Sequence, residues 1–342
     1  MNPSYDDGDT RYAYAVGRIR TLEARLLDGQ RVERLVEAKD FEETFSILRE
    51  TDYGEEFGEE RVASLQEIEQ VLQIKREGAY RTFTELCLDE EVRELILSTQ
   101  DYQNIKVLIK ASVTGEDPDF ALSRFGILSG EKIKRIFKEG RSQGFSTHLQ
   151  KAVEAGLSYD TPEWIDIAVD HEMFRFWSAR AKEVGNDFIL GFIQLILDLE
   201  NIQTFFRIRR GEGGLSFLEK ALFFNGWGED TMSLHRDRFL KAFESPWEGI
   251  SSYFFATPYE RVLREGGEYL ERKGSFASLE KLCDDCRMEY LRSTRRMTFG
   301  VEPVIAYLFA KENELKILRL IFLGKLYGIT QERIRERLPE VF

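Results

Sequence analysis

The sequence predicts an all-α protein built from three similar helical domains. Only seven of its 342 residues are proline, the residue that helix interiors tolerate least. Leu, Glu, Arg, Lys and Ala dominate, and the alternating Val, Ile and Thr patterns of strands are scarce. A short phrase is also repeated: "QNIKVLIK" at 103–110 returns as "ENIQTFFR" at 200–207 and, more loosely, as "NELKILRL" at 313–320. Such self-similarity predicts three copies of one helical unit.

Two further elements precede each copy of the phrase. The first is a long helical pattern that ends near an aromatic residue, at 67–83, 165–177 and 279–293. The second, further upstream, is a pair of short amphipathic helices, at 26–48, 127–149 and, as a plausible third copy, 234–254. Each unit is therefore predicted to contain a pair of short helices, a long helix and the apolar helix that carries the phrase.

The ends of these units give the predicted domains. The turn sequences "SVTGEDPD" and "RRGEGG" close the first two units. We expect an acidic tail at 1–10, followed by domains at 11–115, 116–212 and 213–342. Three copies indicate either pseudo-threefold symmetry, which leaves a central cavity, or an open α-solenoid.

The phrase itself predicts a buried helix. Ile105, Leu108 and Ile109 share one face and Val107 lies opposite, and a helix that is apolar nearly all round is a core helix. Polar residues flank that face at matching positions: Asn104 and Lys106, Asn201 and Gln203, Glu314 and Lys316. They are expected either to form hydrogen bonds between helices within a unit or to line the cavity and contact a partner.

The charge of the chain limits its partners. The net charge is −13 and the pI is about 5.0, and the first sixty residues hold sixteen acids against eight bases. Phosphate backbones would repel such a chain, which argues against a nucleic-acid partner. A basic protein partner fits better, although a net charge of this size can also serve solubility alone.

The sequence predicts no membrane span and no secretory signal. The longest apolar stretches, at 188–199 and 317–329, are shorter than the ~20 residues that a spanning helix needs. The start, "MNPSYDDGDT", is acidic and polar. Three cysteines do not make a disulfide framework, so a reducing cytoplasm is the expected compartment.

Motifs for catalysis, nucleotide binding and metal binding are missing from the sequence. It contains no GxxxxGK[ST] loop, GxGxxG, GxSxG or HExxH. Cys283 and Cys286 form a lone CxxC on a helical pattern, so two buried or half-buried thiols are expected rather than zinc ligands. His148, His171 and His235 lie in unrelated contexts without an orienting partner. We therefore expect no catalytic residue, cofactor, metal or directly bound nucleotide.

Two basic clusters stand out against the acidic background, and each predicts either a solvated face or a docking patch for an acidic surface. They are Arg207, Arg209 and Arg210, and Arg292, Arg295 and Arg296.

Several stretches resemble one known family. They are "YAYAVGRIRTLEARLL" at 12–27, "TDYG" at 51–54, "DYQNIKVLIKA" at 101–111 and, most specifically, the block at 299–342. The sequence resembles the C subunit of the bacterial and archaeal V-type (A-type) ATPases, the counterpart of the eukaryotic d subunit. The likeness covers essentially the whole chain and is weakest at about 115–290; the segment 223–237 fits no pattern of the family.

The resemblance implies a fold and a mechanical function. The expected fold is three similar helical domains with pseudo-threefold symmetry that form a funnel. The expected role is a non-catalytic adaptor, peripheral on the cytoplasmic face of the membrane, that connects the central shaft subunits (D and F type) to the proteolipid c-ring and transmits torque for ion transport or ATP synthesis. The candidate contact residues are Asn104, Lys106, Asn201, Gln203, Glu302, Lys311, Glu312, Glu314 and Arg319.

Two alternatives share the same composition and repeats. One is a free-standing helical-repeat scaffold for another cytoplasmic protein. The other is an enzyme whose site has no recognisable motif.

Overall fold

The computed structural model describes residues 9–56, 64–140, 144–211, 213–224 and 234–342. Within these ranges there are fifteen α-helices, joined by turns that include short 3₁₀ and π-helical segments, and no strand. The predicted all-α fold class is therefore confirmed. Most of the predicted acidic tail at 1–10, and residues 225–233 of the segment 223–237, lie outside the described residues.

The helices are, in chain order, α1 (Ala13–Glu23), α2 (Gly29–Glu37), α3 (Phe41–Arg49), α4 (Leu65–Leu86), α5 (Glu90–Thr114), α6 (Gly130–Lys138), α7 (Thr147–Leu157), α8 (Pro162–Val184), α9 (Asp187–Arg210), α10 (Leu215–Ala221), α11 (Arg236–Phe243), α12 (Gly267–Lys273), α13 (Ala277–Arg292), α14 (Glu302–Leu326) and α15 (Gln331–Arg335). The three copies of the phrase lie in α5, α9 and α14. The long patterns upstream of them fold as α4, α8 and α13.

Short polar side chains set the start of several helices. Ser64 and Glu67 form a capping box at α4, in which each side chain accepts a hydrogen bond from the backbone N–H of the other residue. Asp28 and Asp40 cap α2 and α3 by accepting from backbone N–H groups three residues on. The pair of short helices predicted at 26–48 therefore exists as α2 and α3.

By its internal contacts the chain divides into two compact units. The first unit combines Met1–Leu88 with Lys241–Phe342, and the second is Asp89–Leu240. The three predicted domains, 11–115, 116–212 and 213–342, and their pseudo-threefold arrangement stay a prediction.

In the first unit, the pair α2–α3 packs against α4 and α14. Leu35 and Leu48 are fully buried in one cluster with Leu318 and Phe322 of α14. The rings of Phe41 and Phe322 meet edge to face, with 5.3 Å between their centroids. Helices near the beginning and the end of the sequence thus share one core.

In the second unit, α5 packs against α6, α7 and α8. Gly156 of α7 permits a close approach, because a Cβ there would lie 2.6 Å from Ile109 and 2.9 Å from Val169. The indole N–H of Trp177 in α8 donates to the hydroxyl of Ser98 in α5 over 3.1 Å. In both units, then, a phrase-carrying helix packs against a short-helix pair and a long helix. For α5, these partners are α6, α7 and α8, which follow it in the chain. For α14, they are α2, α3 and α4, which lie near the start of the chain.

Among the helices that the structure describes, one, α9, is long and apolar enough to cross a membrane by length and composition alone. Because 67% of its most apolar stretch is buried inside the fold, the helix has the character of a core element.

Candidate partner-binding site

The polar residues of the repeated phrase bind backbone groups of the following segment. In α5, the side-chain amide of Asn104 donates to the carbonyl oxygen of Ser123 over 2.9 Å, and its oxygen accepts from the N–H of Ser123 over 2.7 Å. Asn104 is completely buried. One side chain thus binds both the N–H and the C=O of Ser123, and it holds in place the segment that leads to α6.

Asn201 of α9 makes the same pair of bonds. Its amide donates to the carbonyl oxygen of Phe223, and its oxygen accepts from the N–H of Phe223, each over 2.9 Å. Asn104 and Asn201 occupy the same position of the phrase, so the repeat seen in the sequence corresponds to a repeated contact. We call these two arrangements the asparagine clamps.

In α14 an acidic residue takes the matching position. The carboxylate of Glu314 accepts from the backbone N–H of Leu27, from the hydroxyl of Tyr53 and from the ammonium group of Lys311. Lys311 also lies 4.5 Å from the centre of the Tyr53 ring. Leu27 lies before α2, as Ser123 lies before α6. Glu314 therefore also holds in place the segment that leads to a pair of short helices, here α2 and α3.

Asp101, which lies three residues before Asn104, adds a second attachment in α5. Its carboxylate accepts from the N–H groups of Ile127 and Leu128, each over 3.1 Å. Burial raises the pKa of this carboxyl group to about 7, against the lowering effect of the two backbone donors. A Cβ at Gly126 would lie only 1.9 Å from this carboxylate, so the turn approaches Asp101 too closely for a larger residue.

Two other candidate contact residues are buried as well. The ammonium group of Lys106 lies 2.7 Å from the carboxylate of Asp170 in α8, and Gln203 accepts from Arg207 over 3.3 Å. Hydrogen bonds between helices within one predicted unit were one expectation for these residues. Asn104, Asn201 and Glu314 do form hydrogen bonds within the fold, but with Ser123, Phe223 and Leu27, each of which lies outside the predicted unit that carries its partner. Contact between these buried positions and a partner stays a prediction.

The other three candidate contact residues are partly accessible. Glu302 is half-buried in the first turn of α14. Glu312 pairs with Arg76 of α4 over 3.1 Å. Arg319 holds Glu69 of α4 through its Nε, 2.8 Å from the carboxylate.

Glu312 and Arg319 lie at a groove formed by α4, α13 and α14, within the first unit. The groove has a volume of about 410 Å³. Its apolar lining residues include Leu72, Met288 and Leu320. A groove that combines apolar and charged lining residues has the general character of a protein-binding surface.

The walls of the groove carry more bases than acids, although the chain as a whole is acidic. The lining side chains with a charge are Arg76, Arg287, Lys316, Arg319, Asp284 and Glu312. Asp284 lies between two of the bases: it pairs with Arg287 over 3.0 Å and also with Lys316. With Arg76 paired to Glu312 and Arg319 paired to Glu69, the four bases of the groove meet three acids, which leaves a small excess of positive charge towards a partner segment.

Sequence reasoning missed Arg76, Arg287 and Asp284 as groove residues. The available signal was position: Arg76 lies four residues before Tyr80, and Arg287 lies three before Tyr290, on two of the long helices that precede a phrase. What the sequence did not indicate was that α4 and α13, about two hundred residues apart, meet the same helix.

The CxxC thiols behave as predicted. Cys283 is buried and Cys286 is half-buried, and neither forms a disulfide. Burial, followed by the nearby carboxylates of Glu289 and Asp285, raises the pKa of Cys286 to about 11. The thiol is therefore protonated at neutral pH, which makes it a poor nucleophile and a poor metal ligand.

Two of the histidines are packing residues. The ring of His148 stacks on Phe176 with 3.9 Å between centroids, and its Nδ1 lies 2.9 Å from the hydroxyl of Tyr102. Burial lowers the pKa of His148 to about 4. The Nε2 of His171 lies 3.0 Å from the carbonyl oxygen of Ala221, to which it donates, and burial lowers the pKa of this ring also. The other nitrogen of the His148 ring, Nε2, lies 3.9 Å from the carboxylate of Glu94.

Comparison with known proteins identifies the family. The family model described as "ATP synthase (C/AC39) subunit" matches residues 15–337. The C subunit of the A-type ATP synthase of Methanocaldococcus jannaschii is 28% identical over 96% of this chain and 86% of its own length. The C subunit of the V-type sodium ATPase of Enterococcus hirae is 23% identical over 95% of this chain and 97% of its own length. The corresponding A-type ATP synthase protein of Pyrococcus furiosus is 24% identical over 97% and 91%, respectively. The predicted resemblance is confirmed, and the chain belongs to the ATP synthase (C/AC39) subunit family.

Proposed function

We propose that this chain is a non-catalytic adaptor of a rotary V/A-type ATPase. It connects the central shaft, made of D- and F-type subunits, to the proteolipid c-ring on the cytoplasmic face of the membrane, and it transmits torque for ion transport or ATP synthesis. The proposal is supported by a family match that spans nearly the whole chain and by relatives named as the C subunits of A-type and V-type enzymes.

The groove on α14 is the observation that carries the proposal to particular residues. One of its three helices, α14, belongs to the block 299–342, where the sequence most specifically resembles the family, and the lining combines apolar residues with Arg76, Lys316 and Arg319. We propose that the foot of the shaft binds here. The acidic excess of the rest of the chain would still attract basic parts of the shaft from a distance, weakly at high salt.

The asparagine clamps and the hydrogen bonds of Glu314 support the proposal that the chain transmits torque. An adaptor that transmits torque must not yield between its helices. Asn104, Asn201 and Glu314 are buried side chains on the helices that carry the repeated phrase. Each of them binds the backbone of a connecting segment, at Ser123, Phe223 and Leu27, respectively. Such buried, fully bonded polar contacts resist relative displacement, because breaking one leaves a peptide group without a partner.

Binding of the purified chain to a purified complex of the shaft subunits tests the proposed site. The test variant is Lys316→Glu with Arg319→Glu. The matched control is Lys132→Glu with Lys138→Glu, which makes the same change of charge at two exposed positions of α6. We expect the groove variant to bind on the order of tenfold more weakly at low salt, with a smaller difference at high salt, and the control to bind normally.

Equal affinity of the two variants would reject the groove as the shaft site. Absence of any complex with the wild-type chain, at either salt concentration, would count against the adaptor role itself. Purification of the tagged chain from native membranes tests the proposed contact with the c-ring. Proteolipid and shaft subunits should be recovered together with the chain. Recovery with unrelated cytoplasmic proteins would favour the helical-repeat scaffold, and tight binding of a nucleotide or metal by the isolated chain would favour an enzyme.

The predicted funnel of three domains remains part of the proposal. Small-angle scattering from the isolated chain distinguishes a closed arrangement from an open solenoid, which would give a more elongated particle.

A further inference from the structure

The longest stretch of the sequence without Asp, Glu, Lys or Arg lies partly at the surface. It covers the eleven residues 249–259, "GISSYFFATPY", in a chain in which 32% of the residues are charged. The next longest such stretch, 188–197, lies in the core helix α9. In residues 249–259, by contrast, Phe255 is 71% exposed and Tyr253 is 37% exposed. We call residues 249–259 the aromatic loop.

Buried residues anchor the aromatic loop within the first unit. Its first part belongs to the 3₁₀-helical segment Trp247–Phe254, which ends on a fully buried phenylalanine. Its last residue, Tyr259, is almost completely buried as well. Between these two anchors, the hydroxyl of Thr257 donates to the carbonyl oxygen of Phe254 over 2.7 Å. Phe255 is therefore presented to solvent from a backbone that is fixed on both sides.

The residue that follows Phe255 has an unusual backbone conformation. Ala256 has a φ of +62°, and among the residues that the structure describes it is the only one besides glycine with a positive φ. This left-handed conformation costs an alanine roughly 1–2 kcal/mol. Such strain persists only where the surrounding structure imposes it, and it is common at binding sites. The strained residue lies next to the most exposed ring of the loop, which indicates a binding role for this ring.

The lack of charge in the aromatic loop limits the chemistry of its partner. A charged partner surface would lose water of hydration against a loop that offers no opposite charge in return. The charged residues that border the loop in the chain are Glu248 and Glu260, and Glu260 already pairs with Arg264 over 3.8 Å. Exposed aromatic rings are typical of the apolar centre of a protein interface. The loop therefore fits an uncharged, apolar protein surface, unlike the groove, which six charged side chains line.

We infer that the aromatic loop is the surface by which this chain contacts the c-ring. The inference rests on the proposed function and names residues for one of its two partners. A proteolipid ring consists of membrane-spanning helices, whose residues are predominantly apolar and whose ends carry aromatic side chains at the membrane interface. Phe255 and Tyr253 match this chemistry, whereas the charged groove is the proposed site for the shaft. The chain thus holds its two partners by different forces, the shaft partly by charge and the ring by apolar contact.

Binding of the full chain to c-rings in lipid nanodiscs, measured by biolayer interferometry, tests the loop. Phe255→Ala removes the exposed ring and leaves the buried anchors in place, so it should bind on the order of tenfold more weakly than the wild type. The matched control is Tyr327→Ala, which removes another exposed ring of the same unit, from a residue that is 72% exposed, and it should bind normally. Because the contact involves no charge, the ratio between wild type and Phe255→Ala should be the same at about 0.05 M and about 0.5 M salt.

The other outcomes would each overturn this assignment. Equal affinity of Phe255→Ala and Tyr327→Ala for the ring would reject the loop as the contact, while the adaptor role would stand. Weaker binding of Phe255→Ala to the shaft complex, with unchanged binding to the ring, would transfer the loop to the shaft. Equal binding of the wild type to nanodiscs without the ring would make lipid, rather than proteolipid, the partner. Absence of wild-type binding to any nanodisc would reject the proposed ring contact of the chain as a whole, and this inference with it.

Discussion

Asn104 holds both backbone groups of Ser123, at 2.9 Å and 2.7 Å, from a completely buried position. Asn201 does the same with Phe223. A clamp of this kind requires one donor and one acceptor on a short planar side chain, which asparagine provides and neither Asp nor Leu does.

Removal of an asparagine clamp should strongly destabilise the fold. Asn104→Ala loses two hydrogen bonds and leaves the N–H and C=O of Ser123 without this partner, so we expect a loss of about 2–4 kcal/mol in the free energy of unfolding. Urea denaturation followed by far-UV circular dichroism measures it. Gln103→Ala, at the exposed neighbouring position, is the control and should change stability by less than about 0.5 kcal/mol. Equal effects of the two substitutions would show that the clamp contributes nothing.

The Lys311–Glu314 pair should show strong coupling. Glu314→Ala leaves a buried ammonium group unpaired and removes the acceptor for Tyr53 and Leu27, so a loss of about 3–5 kcal/mol is expected. In a double-mutant cycle with Lys311→Met, the double variant should be more stable than the sum of the single losses predicts, by about 1–3 kcal/mol. Additive losses would contradict the coupling.

Asp101 should make stability depend on pH. Burial raises its pKa from the ordinary 3.8 to about 7, so between these values the folded chain keeps a proton that the unfolded chain has lost. The contribution of Asp101 is therefore greatest below the unfolded pKa and is lost as the pH rises through 7, with a slope of up to about 1.4 kcal/mol per pH unit.

The difference between wild type and Asp101→Asn isolates this contribution, because the variant cannot titrate at that position. Urea denaturation from pH 4.5 to pH 8 should show a steeper decline for the wild type than for the variant. Asp117→Asn, at an exposed position, should retain the wild-type slope. Parallel curves for wild type and Asp101→Asn would show that Asp101 titrates normally.

Cys286 should resist alkylation at neutral pH. With its pKa raised to about 11 by burial and nearby acids, the thiolate fraction at pH 7.5 is smaller than that of an ordinary thiol by roughly two orders of magnitude. Modification by iodoacetamide, followed by mass spectrometry, should be slower by at least that factor than for a free cysteine. The rate should rise about tenfold per pH unit while the fold is intact. A fast reaction at pH 7.5 would mean that the thiol is neither buried nor electrostatically disfavoured.

The sequence patterns predicted which helices form better than they predicted which helices pack against one another. The apolar phrases predicted α5, α9 and α14 as core helices, and Asn104 and Asn201 were singled out because they recur at one position. A periodic apolar face shows that a helix is buried but not against what. The pair at 26–48 was therefore grouped with its neighbours in the chain, within 11–115; α2 and α3 do pack against α4 of that range, but also against α14, which the pattern did not indicate.

The groove escaped prediction for the same reason. Arg76, Arg287 and Lys316 belong to three helices, and no spacing within a single helix relates them. Arg319 and Glu312 entered the candidate set only through the resemblance of the block 299–342 to the family. Long-range contacts of this kind are set by tertiary packing, which local periodicity does not encode.

The core shared by α2, α3 and α14 has a consequence for synthesis on the ribosome. The apolar faces of Leu35 and Leu48 are made early, yet their partners Leu318 and Phe322 emerge only after some 270 further residues, at a translation rate of roughly 5–20 residues per second. Asp89–Leu240, in contrast, is continuous in the chain and can complete its contacts while translation proceeds. For many seconds, therefore, the pair α2–α3 of the nascent protein exposes apolar surface that α14 will later cover. This surface is where a ribosome-associated chaperone would have most to protect.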